Sequence, residues 1–307
     1  MNTSSTPAKQ QTVAHEVACH GIGVHSGKEV QLTIRPAEAN HGIRFVRTDL
    51  PGTPMIPAIF NQVVDTSLAT VIGSDGCIVS TIEHLMAALS ALSIDNAVIA
   101  LDAYEMPIMD GSARPFFDLI ETIGVIEQEA ERCFFVIKDA IELREGDKFV
   151  GAYPYGGRKL SCSIEYDHPL IQKQSITVDL NPQVFREDIS PARTFGFFQE
   201  VEMMKRFGLA RGGSLDNAVV VDGDGILNPG GLRFTDEFVR HKLLDCIGDF
   251  SLLGMPIVGH LVTHRSGHAF NHAFLEKLFQ NKSTWQACPI PAAMDPTLPV
   301  SPKALAI

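Results

Sequence analysis

The stretch 235-TDEFVRHKLLDCIGDF-250 decides how the chain is read. Thr235 reads as an N-cap, and Asp236 and Glu237 fall in the first turn, where the helix dipole favours negative charge. At about 100° per residue, Val239, Leu243, Cys246 and Phe250 gather on one side, while His241, Asp245 and Asp249 follow one another at i, i+4 and i+8 on the other. One face is expected to be core and the other to carry chemistry. An imidazole and a carboxylate one turn apart can share a cation. The same spacing occurs on ordinary helix surfaces, so the rest of the chain has to supply the partners.

At 307 residues the chain exceeds the usual single core, and two domains are expected. Hydrophobic residues make up 45% of it, enough to pack both. A formal net charge of -11 disfavours nucleic acid or an anionic membrane as the main partner, without excluding a small anion in a local basic site. The six cysteines include no C-x-x-C pair, which argues against a zinc ribbon or a disulfide framework; they read as buried small hydrophobes in a reducing compartment. No secretory h-region opens the chain, and no apolar run approaches the roughly 18 residues of a spanning helix, so a cytoplasmic protein with no transmembrane segment is expected.

Residues 1 to about 10 read as a loose tail. Alternating runs between Val13 and Phe60 read as hairpin strands. The glycines around Gly21 and Gly23 mark a tight turn, because the strand, helix and third glycine of a nucleotide fingerprint are missing. Ser80 and Glu83 fit a capping box opening a helix that carries His84. A strand at Asn96–Leu101, a Gly111-Ser112 turn and a helix from Pro115 follow. A polar stretch then precedes a fresh strand at Cys133, placing a boundary at 127/128. The second half repeats the order: strands, the His241 helix, a strand from Pro256, Ser266-Gly267, and a helix from His268. The expected fold is therefore α+β, with two similarly built sandwich domains, 1–127 and 128–285, related by internal duplication, and a tail over 286–307.

Packed face to face, such domains would set His84 against His241 and Asp245. Two His and one Asp around an open position form the donor set of a catalytic zinc site. Glu83 could act as general base, and His268, with Asp249 raising its pKa, as proton donor. The other histidines read as surface or satisfied residues. Two rival readings use the same ligands: a non-haem Fe(II) enzyme, which leaves Glu83 and His268 without roles, and a metal-stabilised scaffold, which lacks a fourth ligand.

Six motifs occur in order: Thr81-Ile82-Glu83-His84-Leu85, Met109-Asp110-Gly111-Ser112-Ala113, Ala192-Arg193-Thr194-Phe195-Gly196-Phe197, Gly212-Gly213-Ser214-Leu215-Asp216, Phe238 to Asp245, and Ser266-Gly267-His268-Ala269. Together they closely resemble the UDP-3-O-acyl-N-acetylglucosamine deacetylase family, the zinc amidases of the committed step of lipid A biosynthesis. The resemblance runs from about residue 12 to 285. It implies an active site between the two domains, one Zn²⁺ per chain on His84, His241 and Asp245, with Fe²⁺ as the alternative, and Glu83 as base. It further implies His268 as acid or electrostatic partner supported by Asp249, Thr194 at the oxyanion, and Lys242 and Phe195 on the UDP-acyl-amino-sugar substrate. An acyl groove is implied over 195–214, where Phe197, Phe198, Val201, Met203, Met204, Phe207 and Leu209 offer apolar surface. A monomer is expected.

Overall fold

The computed structural model describes residues 6–297. Period-two burial builds its sheets: in Glu29–Pro36 the side chains of Val30, Leu32 and Ile34 point inward, and in Arg158–Glu165 those of Leu160, Cys162 and Ile164 do so. The architecture is α+β, two repeats of one plan.

In the first repeat, strands Val17–Ile22 and Glu29–Pro36 form a hairpin, and Ile43–Arg47 and Met55–Pro57 form a second. Strand Ala97–Leu101 inserts between the two hairpins, antiparallel to Glu29–Pro36 and parallel to Ile43–Arg47. It is reached through helix α1 (Glu83–Ala91) and followed by α2 (Arg114–Ile123). The second repeat has the same arrangement. Ile257–His264 lies antiparallel to Lys148–Tyr153 and parallel to Arg158–Glu165, with Ile141–Glu145 and Lys173–Asp179 outside them. An insertion containing α3 (Phe198–Arg206) precedes the crossover helix α4 (Glu237–Ser251), and α5 (His268–Gln280) follows the inserted strand. The equivalence extends to the margins: Lys9–Val13 pairs with Val125–Glu131 just as Cys133–Ile137 pairs with Trp285–Pro289.

These margins revise the expected ends and the junction. The amino-terminal tail becomes a strand at Lys9, and the carboxy-terminal tail contributes the edge strand Trp285–Pro289; both ends are held because each closes a two-strand ladder with a neighbour. The position 127/128 falls inside strand Val125–Glu131, and the next strand begins at Cys133. Residues 298–307 of the expected tail lie outside the described residues. The cysteines also divide: Cys77, Cys162 and Cys246 are buried, Cys133 is exposed, and Cys19 and Cys288 are intermediate.

α1 and α4 pack against each other at the centre, and this contact overrides the two-faced reading of α4. Twelve of its fifteen residues are buried, the polar face included. Neither expected cap forms. Helix α4 starts after Asp236, whose carboxylate takes Arg240 instead, and Glu237 is held by Arg193. At α1, the Ser80 N–H goes to the Tyr104 carbonyl and the helix starts at Glu83. Tertiary partners claimed the groups that local capping would have used.

Gly248 of α4 sits directly on the backbone of Glu83, where a Cβ would run into the Glu83 carbonyl oxygen. Ala in a helix interior gains up to about 1 kcal/mol over Gly. Overpacking costs about 1–3 kcal/mol, and a backbone oxygen yields less readily than a side chain. Gly248→Ala is therefore expected to lower unfolding free energy by about 1–2 kcal/mol in urea; an unchanged or higher midpoint would mean the helices separate freely.

Candidate metal centre

The α1–α4 contact brings His84, at the start of α1, onto His241 and Asp245, one turn apart on α4. Their ligand atoms lie within 4.8 Å of one another, all three residues being buried. The imidazoles meet edge to face with ring centroids 5.0 Å apart. Asp245 Oδ1 lies 3.7 Å from His84 Nε2 and 3.4 Å from His241 Nε2. His241 Nδ1 donates to the Ala192 carbonyl at 3.1 Å, which leaves Nε2 with its lone pair toward the centre. Burial, aided by His241, pulls the His84 pKa down to about 3, and burial lowers His241 too. Both rings are neutral near pH 7, the form that coordinates a cation.

Asp245 keeps its charge: burial opposes ionisation, but His241 and Lys242 outweigh it and hold the pKa well below the usual range. Lys242 Nζ donates to Asp245 Oδ2 at 2.9 Å, leaving Oδ1 for the histidines. The same ammonium stands 5.6 Å from the Phe195 ring centroid. The donor set therefore fits a divalent cation in residue type, protonation and convergence.

Beside it, Glu83 is buried and its pKa is pushed up to about 7, chiefly by burial, with His268 pulling the other way. Its Oε2 accepts the Thr70 N–H at 3.1 Å. His268 Nδ1 donates to Asp249 Oδ2 at 2.9 Å. Burial lowers the His268 pKa, but the Asp249 charge and hydrogen bond win, raising it to about 10. Asp249 is fixed in turn by the Thr70 hydroxyl at 2.5 Å and Asn271 Nδ2 at 2.8 Å.

Thr70 and Asn271 escaped the sequence reading. Asn271 stands three residues after His268, a helical spacing that could have found it. Thr70 lies in a connection with no period, but its carbonyl also accepts the N–H of Thr81, a residue at φ 63 in the left-handed region. One threonine thus ties the entry of α1, the Glu83 carboxyl and the Asp249–His268 pair.

A cavity of about 410 Å³ opens over the centre, lined by Glu83, His84, Thr194, Phe195, His241, Lys242, Asp245 and His268. Thr194 is positioned by backbone bonds to Gly111 and Val219. Of the expected groove residues, Phe198, Val201 and Met204 line this cavity. Phe197 packs on Tyr166 and His168 instead, and Met203, Phe207 and Leu209 are exposed.

Because Asp249 holds the proton on His268, Asp249→Asn should lower the His268 pKa. A step that needs the imidazolium would then lose its high-pH activity first. The basic limb of kcat/KM is expected to move to lower pH by at least one unit, read from initial rates between pH 6 and 10. A limb that stays in place would free His268 from Asp249 control. The stability sign agrees: a pKa raised on folding contributes fully below about pH 6.5, and the contribution is lost as pH rises toward 10.

A scaffold that closes a cavity over two imidazoles and a carboxylate, with a buried carboxyl and an Asp-paired imidazole beside them, has the layout of a metal-dependent hydrolase. Residues 10–280 match the family model described as LpxC, UDP-3-O-acyl N-acetylglycosamine deacetylase. The chain is 51% identical over 280 residues to the UDP-3-O-acyl-N-acetylglucosamine deacetylase of Myxococcus xanthus, covering 91% of this chain and 89% of the relative. It is 49% identical to that of Syntrophotalea carbinolica, covering 90% of each. The Bdellovibrio bacteriovorus protein of the same name is 45% identical, covering 90% of this chain and 92% of its own. The chain belongs to the LpxC family. Among its described residues no helix is long and apolar enough to cross a membrane.

Proposed function

We propose that the protein hydrolyses the N-acetyl group of UDP-3-O-(3-hydroxyacyl)-N-acetylglucosamine, giving the free amine and acetate, the committed step of lipid A biosynthesis. One observation carries the reading: the converging atoms of His84, His241 and Asp245 share a cavity with Glu83 and His268. His84, His241 and Asp245 would hold a divalent cation, zinc in this reading, which would supply Lewis-acid polarisation of the amide carbonyl and a more acidic water. Glu83 takes the water proton while the Thr70 N–H steadies its other oxygen. His268, protonated and oriented by Asp249, gives a proton to the departing nitrogen. Thr194 faces the developing oxyanion, where one well-placed donor is worth about 3–4 kcal/mol. Lys242 and Phe195 receive the nucleotide sugar, and Phe198, Val201 and Met204 the start of the acyl chain.

We further infer a monomer of the cytoplasm, consistent with six free cysteines. The decisive assay is amine release from that substrate by metal-stripped protein as Zn²⁺ is restored stepwise. Activity that rises to a maximum near one equivalent is expected. Turnover that returns only with Fe²⁺ and O₂ would transfer the site to oxygen chemistry, for which two His and one carboxylate are also a known donor set.

A further inference from the structure

A second cavity, of about 280 Å³, lies between the repeats. The helix pair divides its residues between the two cavities: Glu83, His84, His241 and Asp245 face the candidate metal centre, whereas Met86, Leu89, Ser90, Ile247 and Phe250 face this one. Its walls are mostly apolar, with Leu160, Leu180 and Leu261 contributed by the second repeat.

Around it, two arginines and two aspartates pair unevenly. Arg132 is paired with Asp95 at 2.8 Å and Asp295 at 3.6 Å. Arg158 also lines the cavity, is only 9% exposed, and donates to the carbonyl and hydroxyl of Ser90 at 3.2 and 2.9 Å. Among the described residues no carboxylate lies within ion-pair distance of it. Burial, and then the charge of Arg132, pull its pKa down to about 10, so the cation persists at pH 7. A guanidinium has five N–H donors, and only two are used. Buried charges are ordinarily paired.

We propose that this inter-repeat cavity binds an apolar monocarboxylate, its two oxygens on Arg158 and its body along Met86, Leu89, Leu160 and Phe250. A planar carboxylate matches the fork of a guanidinium. Two oxygens match the unused N–H groups of Arg158, and a single added charge disturbs the set of two arginines and two aspartates least, which disfavours a nucleotide diphosphate. The volume is just below the range of roughly 300–1,000 Å³ typical of small-molecule pockets, and the lining suits a short hydrocarbon. The site is separate from the cavity over the metal centre and does not depend on the deacetylase reading.

The probe is decanoate, titrated calorimetrically into the full chain, with decanol as its uncharged counterpart. Decanoate is expected to bind at least tenfold more tightly than decanol, and Arg158→Met to remove that advantage. Equal binding of the two, or an unchanged advantage in the variant, would overturn the proposal. Crystals of the unaltered protein soaked in 2-bromodecanoate give an arm that needs no variant. A bromine anomalous peak beside Arg158 is expected. A peak confined to the larger cavity beside His84 and Phe198 would also overturn it, because the carboxylate would then be occupying the other site.

Discussion

Glu83→Gln is expected to cut turnover by about 10²–10⁴-fold while the protein still binds one metal ion and unfolds at an unchanged temperature. The substitution keeps shape and an oxygen for the Thr70 N–H, whose bond to Glu83 Oε2 spans 3.1 Å. It removes only the capacity to accept a proton. Burial already holds this carboxyl at a pKa of about 7, so exchanging it for a neutral amide carries little electrostatic penalty. Single-turnover amine release with metal content measured on the same sample separates chemistry from metal loss. A variant with more than a tenth of the original rate would require another base.

Asp245→Asn should be the most damaging change, because the carboxylate serves two partners. Its Oδ1 faces both imidazoles and its Oδ2 takes the Lys242 ammonium at 2.9 Å. An amide supplies no charge to the cation and leaves Lys242 without its counter-ion. Breaking a buried pair costs about 3–5 kcal/mol, and the lower end applies here because the Lys242 side chain is 23% exposed. The expected result is protein that loses metal on dialysis, melts several degrees lower, and hydrolyses no amide above background. Asp245→Ala with Lys242→Met should recover part of the stability but none of the metal. Metal retained at one equivalent by Asp245→Asn would remove Asp245 from the donor set.

Much of this was legible because helices translate spacing into direction. His241, Asp245 and Asp249 at i, i+4 and i+8 had to share a side of α4, and the repeated order of elements placed His84 opposite them. The same order foretold a duplication that the matching strand arrangements display. What stayed hidden depends on contacts far apart in the chain. Thr235 and Ser80 resembled caps, but whether a hydroxyl caps a helix depends on what else reaches the backbone there. Thr70 has no periodic neighbours to mark it, and its partners Glu83, Asp249 and His268 lie on α1, α4 and α5. Phe207, just past the end of α3, was expected in the groove and is instead 78% exposed, since hydrophobicity does not tell which way a side chain at a helix end points.

The duplication also orders events during synthesis. Glu83 and His84 leave the ribosome about 160 residues before His241 and Asp245, an interval of roughly 8–30 s at ordinary elongation rates. Throughout that time the nascent first repeat offers only His84 of the three candidate ligands, and α4 is not there to pack on α1. One imidazole is a weak ligand, and the candidate set gains its second imidazole and its carboxylate only with α4. Metal loading is therefore expected to follow the docking of α4, late in synthesis, rather than to accompany the folding of the first repeat.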